Sequence, residues 1–276
     1  MVLREMQLRL IVVACALGAA PAIASADEPA APAPASDGGG GGTDQLTLPK
    51  GRLLLSGFVE IGLNNGAAFK PISITPDIWY GVTDEITAGL VHSGTGLSGF
   101  LGSQGDALCL TGTDNGCPKF YNSVAADVRY KLSFGGPSMV WAADGALEFR
   151  SLDPSVLALQ VGAVGRWSSG PLAVELHPAL RFTLTNRPAA DADALTLPVG
   201  AIYALNPKLA VSGQTGIILP FQATGDAWAV PLSIGGHYAV TPQFTALAAF
   251  TINRLIAGQG GGFDFRTLTL GGAYAF

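Results

Sequence analysis

The chain has 276 residues, 49% of them apolar and only 13% charged, a balance that excludes disorder over most of its length. Its 37 glycines and 18 prolines argue for many turns and against a helical bundle. The 15 basic and 20 acidic residues leave a net charge of −5, so no basic surface is offered to nucleic acid.

Residues 1–26 read as a secretory signal peptide. Arg4 and Arg9 make a positive start, the stretch 10–20 is apolar, and Ala24-Ser25-Ala26 is a small-x-small cleavage site. A membrane anchor is disfavoured because the apolar stretch is short and Pro21 interrupts it. Val12-Val13-Ala14-Cys15 resembles a lipobox, a minor reading in which the apolar run before Cys15 is very short. Past residue 26 no apolar run approaches the roughly 18–20 residues of a spanning helix. Residues 27–45 are Ala, Pro and Gly with almost nothing to bury, and read as a flexible tether. An arm that spans the periplasm or binds cell wall is the functional alternative. Residues 46–276 form the folded domain.

From Gly51 onward apolar residues recur with period two, the mark of strands with one greasy face. Leu53, Leu55, Val59, Ile61 and Leu63 alternate with Arg52, Ser56 and Glu60; Val124, Ala126, Val128 and Tyr130 alternate with Ser123, Asp127, Arg129 and Lys131. Twelve such segments run at about 51–63, 68–80, 86–93, 121–132, 138–152, 156–167, 172–185, 194–205, 209–219, 228–240, 244–253 and 263–276. Tight-turn residues join alternate pairs, at Val82-Thr83-Asp84, Phe134 to Pro137, Ser168 to Pro171, Asn206-Pro207-Lys208 and Thr241-Pro242-Gln243. The remaining connections are generally longer, the largest at 94–120, with Asp153-Pro154-Ser155 the exception. The pattern predicts an all-β fold: a transmembrane, antiparallel, up-and-down β-barrel of about 12 strands, with 10 or 14 still open. Pro178, Pro198 and Pro231 fall inside strands, where each removes a ladder hydrogen bond, and they predict bulges.

Two cysteines remain after cleavage, Cys109 and Cys117, in the polar, Gly-rich part of the 94–120 loop. An even count in an exported chain predicts a disulfide; the absence of a C-x-x-C spacing or a nearby His argues against zinc.

Even-numbered strands end in an aromatic residue on the apolar face: Tyr80, Tyr130, Trp167, Tyr203, Tyr238 and Tyr274, at spacings of 50, 37, 36, 35 and 36. Rings at constant depth are what a membrane–water interface selects, because the ring body is apolar and its edge polar. A helical repeat of that period is excluded by the alternation and by the Gly and Pro content.

Thr269 to Phe276 reads T-L-G-G-A-Y-A-F, with Thr269, Gly271, Tyr274 and Phe276 at the key positions. This resembles the terminal strand motif of bacterial, Gram-negative outer-membrane β-barrel proteins, small and porin-like in size. The resemblance implies insertion into the cell outer membrane, with outer-membrane lipid, the barrel-assembly machinery and periplasmic chaperones as partners.

By parity the lumen receives Glu60 and Asp77 from the first two strands. The middle strands add Asp127, Arg129 and Lys131, then Asp144, Glu148 and Arg150, then Arg166, and then Glu175, His177 and Arg181. Gln214 and His237 come from later strands, which otherwise offer Ala, Gly, Ser and Thr. Six acids against five bases build no one-signed filter. Two readings of the interior stand: ion pairs that fill it, or a narrow polar channel. The function expected is passive passage of small polar solutes. A non-conducting surface scaffold or adhesin displaying loop 94–120 is the alternative, and an outer-membrane lipid hydrolase a minor one. No H-E-x-x-H, G-x-S-x-G or phosphate loop is present, and His92 and Ser93 point to opposite faces of a strand, so no catalytic, cofactor or metal residue is assigned.

Overall fold

Strands with one greasy and one polar face leave backbone groups unpaired at the sheet's margins unless the sheet closes on itself. In this computed structural model it closes. The described residues are 46–92, 107–117, 119–187, 193–223, 226–258 and 260–276. The expected signal peptide 1–26 and tether 27–45 lie outside them.

The strands are β1 (Leu53–Asn64), β2 (Ala67–Gly81), β3 (Ile86–Val91), β4 (Leu108–Cys109), β5 (Val124–Leu132), β6 (Met139–Leu152), β7 (Ser155–Ser169), β8 (Leu172–Leu176), β9 (Ala179–Thr183), β10 (Ala194–Asn206), β11 (Leu209–Pro220), β12 (Ala229–Ala239), β13 (Phe244–Ala257) and β14 (Arg266–Ala275). Each pairs antiparallel with its neighbours, and β1 pairs both β2 and β14, so the sheet has no free edge. Because β8 and β9 are halves of one stave and β4 is an insert, the barrel has 12 staves. The end that carries the turns 82–85, 170–171 and 207–208 is called inner, the opposite end outer. Two outer connections, Asn65-Gly66 and Asp153-Pro154, are as short as the inner turns.

Two of the three strand prolines do not act as expected. By register Pro198 lies opposite His177 and Pro178 opposite Leu197, so the two prolines sit diagonally between β8/β9 and β10, and pairing stops there without any shift of register. Neither has an N–H to give, but both carbonyls are used. Ala163 N donates to Pro178 O and His177 N to Pro198 O, each at 3.1 Å. The ladder therefore forgoes bonds worth roughly 0.5–1.5 kcal/mol each and keeps its alternation. Pro231 does mark a bulge, with the β12–β13 register shifting between Val230 and Leu232.

Strand β3 is short because it pairs only with Ile78–Gly81 of β2. Farther out β4 takes its place, with Leu108 and Cys109 opposite Ile74 and Ser73 and Tyr121 bridging Leu108. The described part of the 94–120 connection is therefore wall and rim. Cys109 and Cys117 are buried there and joined by a disulfide. Their separation of eight residues closes a small loop, and the Cys109→Ala/Cys117→Ala variant should lose about 2–3 kcal/mol on chain-entropy grounds. Denaturant titration in detergent checks this; unchanged midpoints would show that the β4 ladder holds the loop alone.

Outward positions carry Val128, Leu147, Val161, Val211, Ile234 and Leu270, each at least 40% exposed. In water each such side chain left uncovered forgoes about 1.5–3 kcal/mol, and a belt of this extent is foreign to soluble monomers. Against acyl chains the same surface is matched. The six aromatic residues of the expected girdle all face out, 40–51% exposed, beside the inner turns; Tyr80 opposes Leu53, Tyr130 opposes Ile86, and Tyr274 opposes Phe244.

Candidate functional site

Inward residues divide the lumen into a sealed inner part and an open outer part. On the inner side Leu54, Trp79, Thr87, Ala142, Val164, Arg166 and Ile202 are all buried. Leu48, Leu54, Trp79 and Val91 form one apolar cluster, while Leu46, Ala142 and Val164 form a second. Phe58 packs with Leu247 and Ala249 in a third. Leu46 and Leu48 belong to no strand; they precede β1 and lie within the barrel.

Above this seal is a vestibule of about 880 Å³. One wall is charged: Asp127 and Arg129 from β5, Glu148 and Arg150 from β6, Gln160 from β7, and His177 and Arg181 from the β8/β9 stave. The facing wall is neutral and polar: Thr196, Gln214, Ser233, Thr251, Asn253 and Thr267. Glu60 reaches it from β1. Arg181 and Arg150 act electrostatically on Glu148.

The charged wall is anchored by Asp144, whose side chain is wholly buried. Its carboxylate accepts from Arg129 Nε at 3.2 Å and Gln160 Nε2 at 3.5 Å, and His177 Nε2 lies 2.9 Å away. Arg129 and Asp144 are direct partners in the β5–β6 ladder, so register alone brings them together. Arg129 also lies over the Trp79 ring, 5.2 Å from its centroid. Arg166 and Glu175 are likewise opposed across β7–β8, with Nη1 and Oε2 3.8 Å apart. Filling by cross-strand ion pairs and an open polar cavity thus coexist at different depths.

The expected lumen residues fall into three groups. Glu60, Asp127, Arg129, Glu148, Arg150, His177, Arg181 and Gln214 line the vestibule. Asp77, Asp144, Arg166, Glu175 and His237 point inward but are buried off the open space, so they brace the wall; His237 is 3.1 Å from Ser212 Oγ. Lys131 shares the inward parity and is exposed, because it sits one residue from the end of β5 where that face meets solvent. The residues that sequence reasoning missed are Trp79 and Phe58. Trp79 has the parity of Asp77 and Phe58 that of Glu60, so the signal was available; an inward aromatic was not sought in a polar lumen. His92 is inward too, 2.8 Å from the Tyr121 hydroxyl, with its amide donating to Asp77 at 2.6 Å, while Ser93 lies outside the described residues.

The outer rim is tied together by polar contacts. Arg266 donates to Leu63 O at 3.0 Å and Asn65 Oδ1 at 2.8 Å, and Asn65 bonds Asp264, which clamps the β1–β14 seam. Arg187 donates to Asp193 at 2.6 Å and, with the Thr183 amide, holds that carboxyl below the usual carboxylate range.

No family model matches the chain and no curated protein matches it in sequence. Solved structures do match. The NanC porin is 12% identical with a TM-score of 0.53, over 80% of this chain and 98% of that one. The KdgM porin in complex with disordered oligogalacturonate is 10% identical, TM-score 0.51, over 81% and 99%. The COG4313 outer-membrane channel from Pseudomonas putida F1 is 13% identical, TM-score 0.52, over 83% and 97%. The chain has the closed β-barrel fold of these outer-membrane proteins. Identities this low show the fold alone; the apolar belt and closed sheet agree with it independently. Within this barrel the terminal motif lies on β14. Tyr274 and Phe276 face out with ring centroids 4.6 Å apart, and Thr269 and Gly271 face in. Gly271 opposes Phe58, and a Cβ at 271 would collide with that ring and with the Gly57 carbonyl.

Proposed function

We propose that this barrel is a small channel for the passive passage of small polar solutes. The observation that supports it is the vestibule of about 880 Å³ with polar groups on both walls. A barrel built only as a rigid anchor has no use for open space ringed by Arg150, Arg181, Gln160, Gln214 and Asn253. The signs are mixed, so selection rests on size and hydrogen bonding more than on ionic charge. Planar-bilayer recording of the refolded mature chain is expected to show discrete conductance steps, and liposome swelling should report entry of neutral sugars. The absence of any discrete step would overturn the reading.

A further inference from the structure

The segment 46–50 has no place in the sheet, yet its first three residues, Leu46, Thr47 and Leu48, are buried. Leu46 packs with Ala142 and Val164, inward residues of β6 and β7. Two residues on, Leu48 packs in the cluster of Leu54, Trp79 and Val91 on β1, β2 and β3, against which Ala273 and Ala275 of β14 also rest. Since β6 and β7 stand four and five staves from β1 among 12, the segment lies over part of the inner mouth and bridges two stretches of its wall. Its path is pinned by backbone bonds: Leu48 N donates to Thr87 Oγ1 at 2.7 Å, Lys50 N to Asp84 Oδ1 at 3.0 Å, and Gly51 N to Gly81 O at 2.7 Å.

The barrel wall also carries a seat for it. A Cβ at Gly81 would overlap the carbonyls of Leu48 and Pro49, and Gly81 has no left-handed φ that would otherwise call for glycine. The missing side chain therefore makes room for the bridging segment. With the segment in place, the inward residues around it, Leu54, Trp79, Thr87, Ala142 and Val164, have almost no contact with solvent.

We propose that residues 46–49 are a stopper for the inner mouth, and that solute leaves the vestibule only when this segment withdraws from its seat. This rests on the channel reading above. It makes the segment preceding the first strand the gate, and the glycine at 81 the residue that permits closure. Among the described residues, three buried side chains and a few backbone bonds hold it, none of them part of the ladder, so it can leave while the ladder stays intact.

Three variants test this in planar bilayers, each first checked for a heat-modifiable, folded barrel by gel mobility. Gly81→Val fills the seat without altering the stopper; Leu46→Asp/Leu48→Asp removes its apolar grip. Both should raise open probability at least about tenfold, because burying one leucine shifts an equilibrium by more than a decade. Leu46→Cys/Ala142→Cys, oxidised, should lock the mouth and abolish conductance. Reductant should restore it, with the reduced wild-type chain as control for the native disulfide. A locked barrel that conducts like wild type, while the other variants also conduct, overturns the stopper and leaves the channel standing. If no variant conducts, including those with an empty seat, the channel reading itself fails and the stopper falls with it.

Discussion

Asp144→Ala is expected to destabilise the folded barrel by about 3–5 kcal/mol, the cost of leaving a buried cation without its counter-charge. Arg129 would keep its place beneath the surface of the charged wall, against the Trp79 ring, with its cross-strand carboxylate gone and Asp127 of its own strand left to act on it. His177 and Gln160 would lose the same acceptor. Asp144→Asn keeps the volume and one acceptor and should cost less. Arg129→Met/Asp144→Leu removes both charges and should recover most of the loss, because a buried pair returns little beyond its own desolvation. Urea titration of the barrel in lipid or detergent, followed by tryptophan fluorescence, gives the midpoints. A wild-type midpoint for Asp144→Ala would show that the ion pair holds nothing.

Tyr274→Ala/Phe276→Ala is expected to remove most of the inserted barrel from the membrane fraction, whereas Glu148→Ala/Arg150→Ala leaves insertion near wild type. The contrast follows from position. Strand β14 closes the sheet against β1, from Leu54 opposite Ala275 to Gly62 opposite Thr267, and Phe276 N donates to Leu53 O at 2.9 Å. The two rings pack on each other at the outside of that seam, while Glu148 and Arg150 face open space. Gly271→Val should also weaken the seam, by about 1–3 kcal/mol or more, since its side chain has to displace both the Phe58 ring and the Gly57 carbonyl. Membrane fractionation with heat-modifiable gel mobility measures all three. Equal insertion of the aromatic and the charged variants would overturn the role given to β14.

The stave number, the direction of each side chain and the ends at which turns fall follow from period-two alternation, because a strand's faces are set by residue parity wherever one face is apolar. The same rule brought Arg129 and Asp144 to one face. The alternation also held through Pro178 and Pro198, where a bulge was expected. The two prolines fall at one break in the same ladder, diagonal to each other, and only the partner strand reveals that they share it. Neighbours likewise decided which inward charges meet open space and which are sealed: Glu175 and His177 share a parity, yet one is buried against Arg166 and the other lines the vestibule.

What the sequence determined by itself is a closed, membrane-facing barrel with a polar interior, since each part of that statement depends on local alternation, composition and turn chemistry. What only the tertiary structure decided is how the interior is occupied. Leu46 and Leu48 carry no periodic signal, being outside any strand, and Gly81 reads as one more strand-end glycine. Their meaning comes from contacts with residues distant in sequence, such as Trp79, Ala142 and Val164, brought to the inner mouth by closure of the sheet.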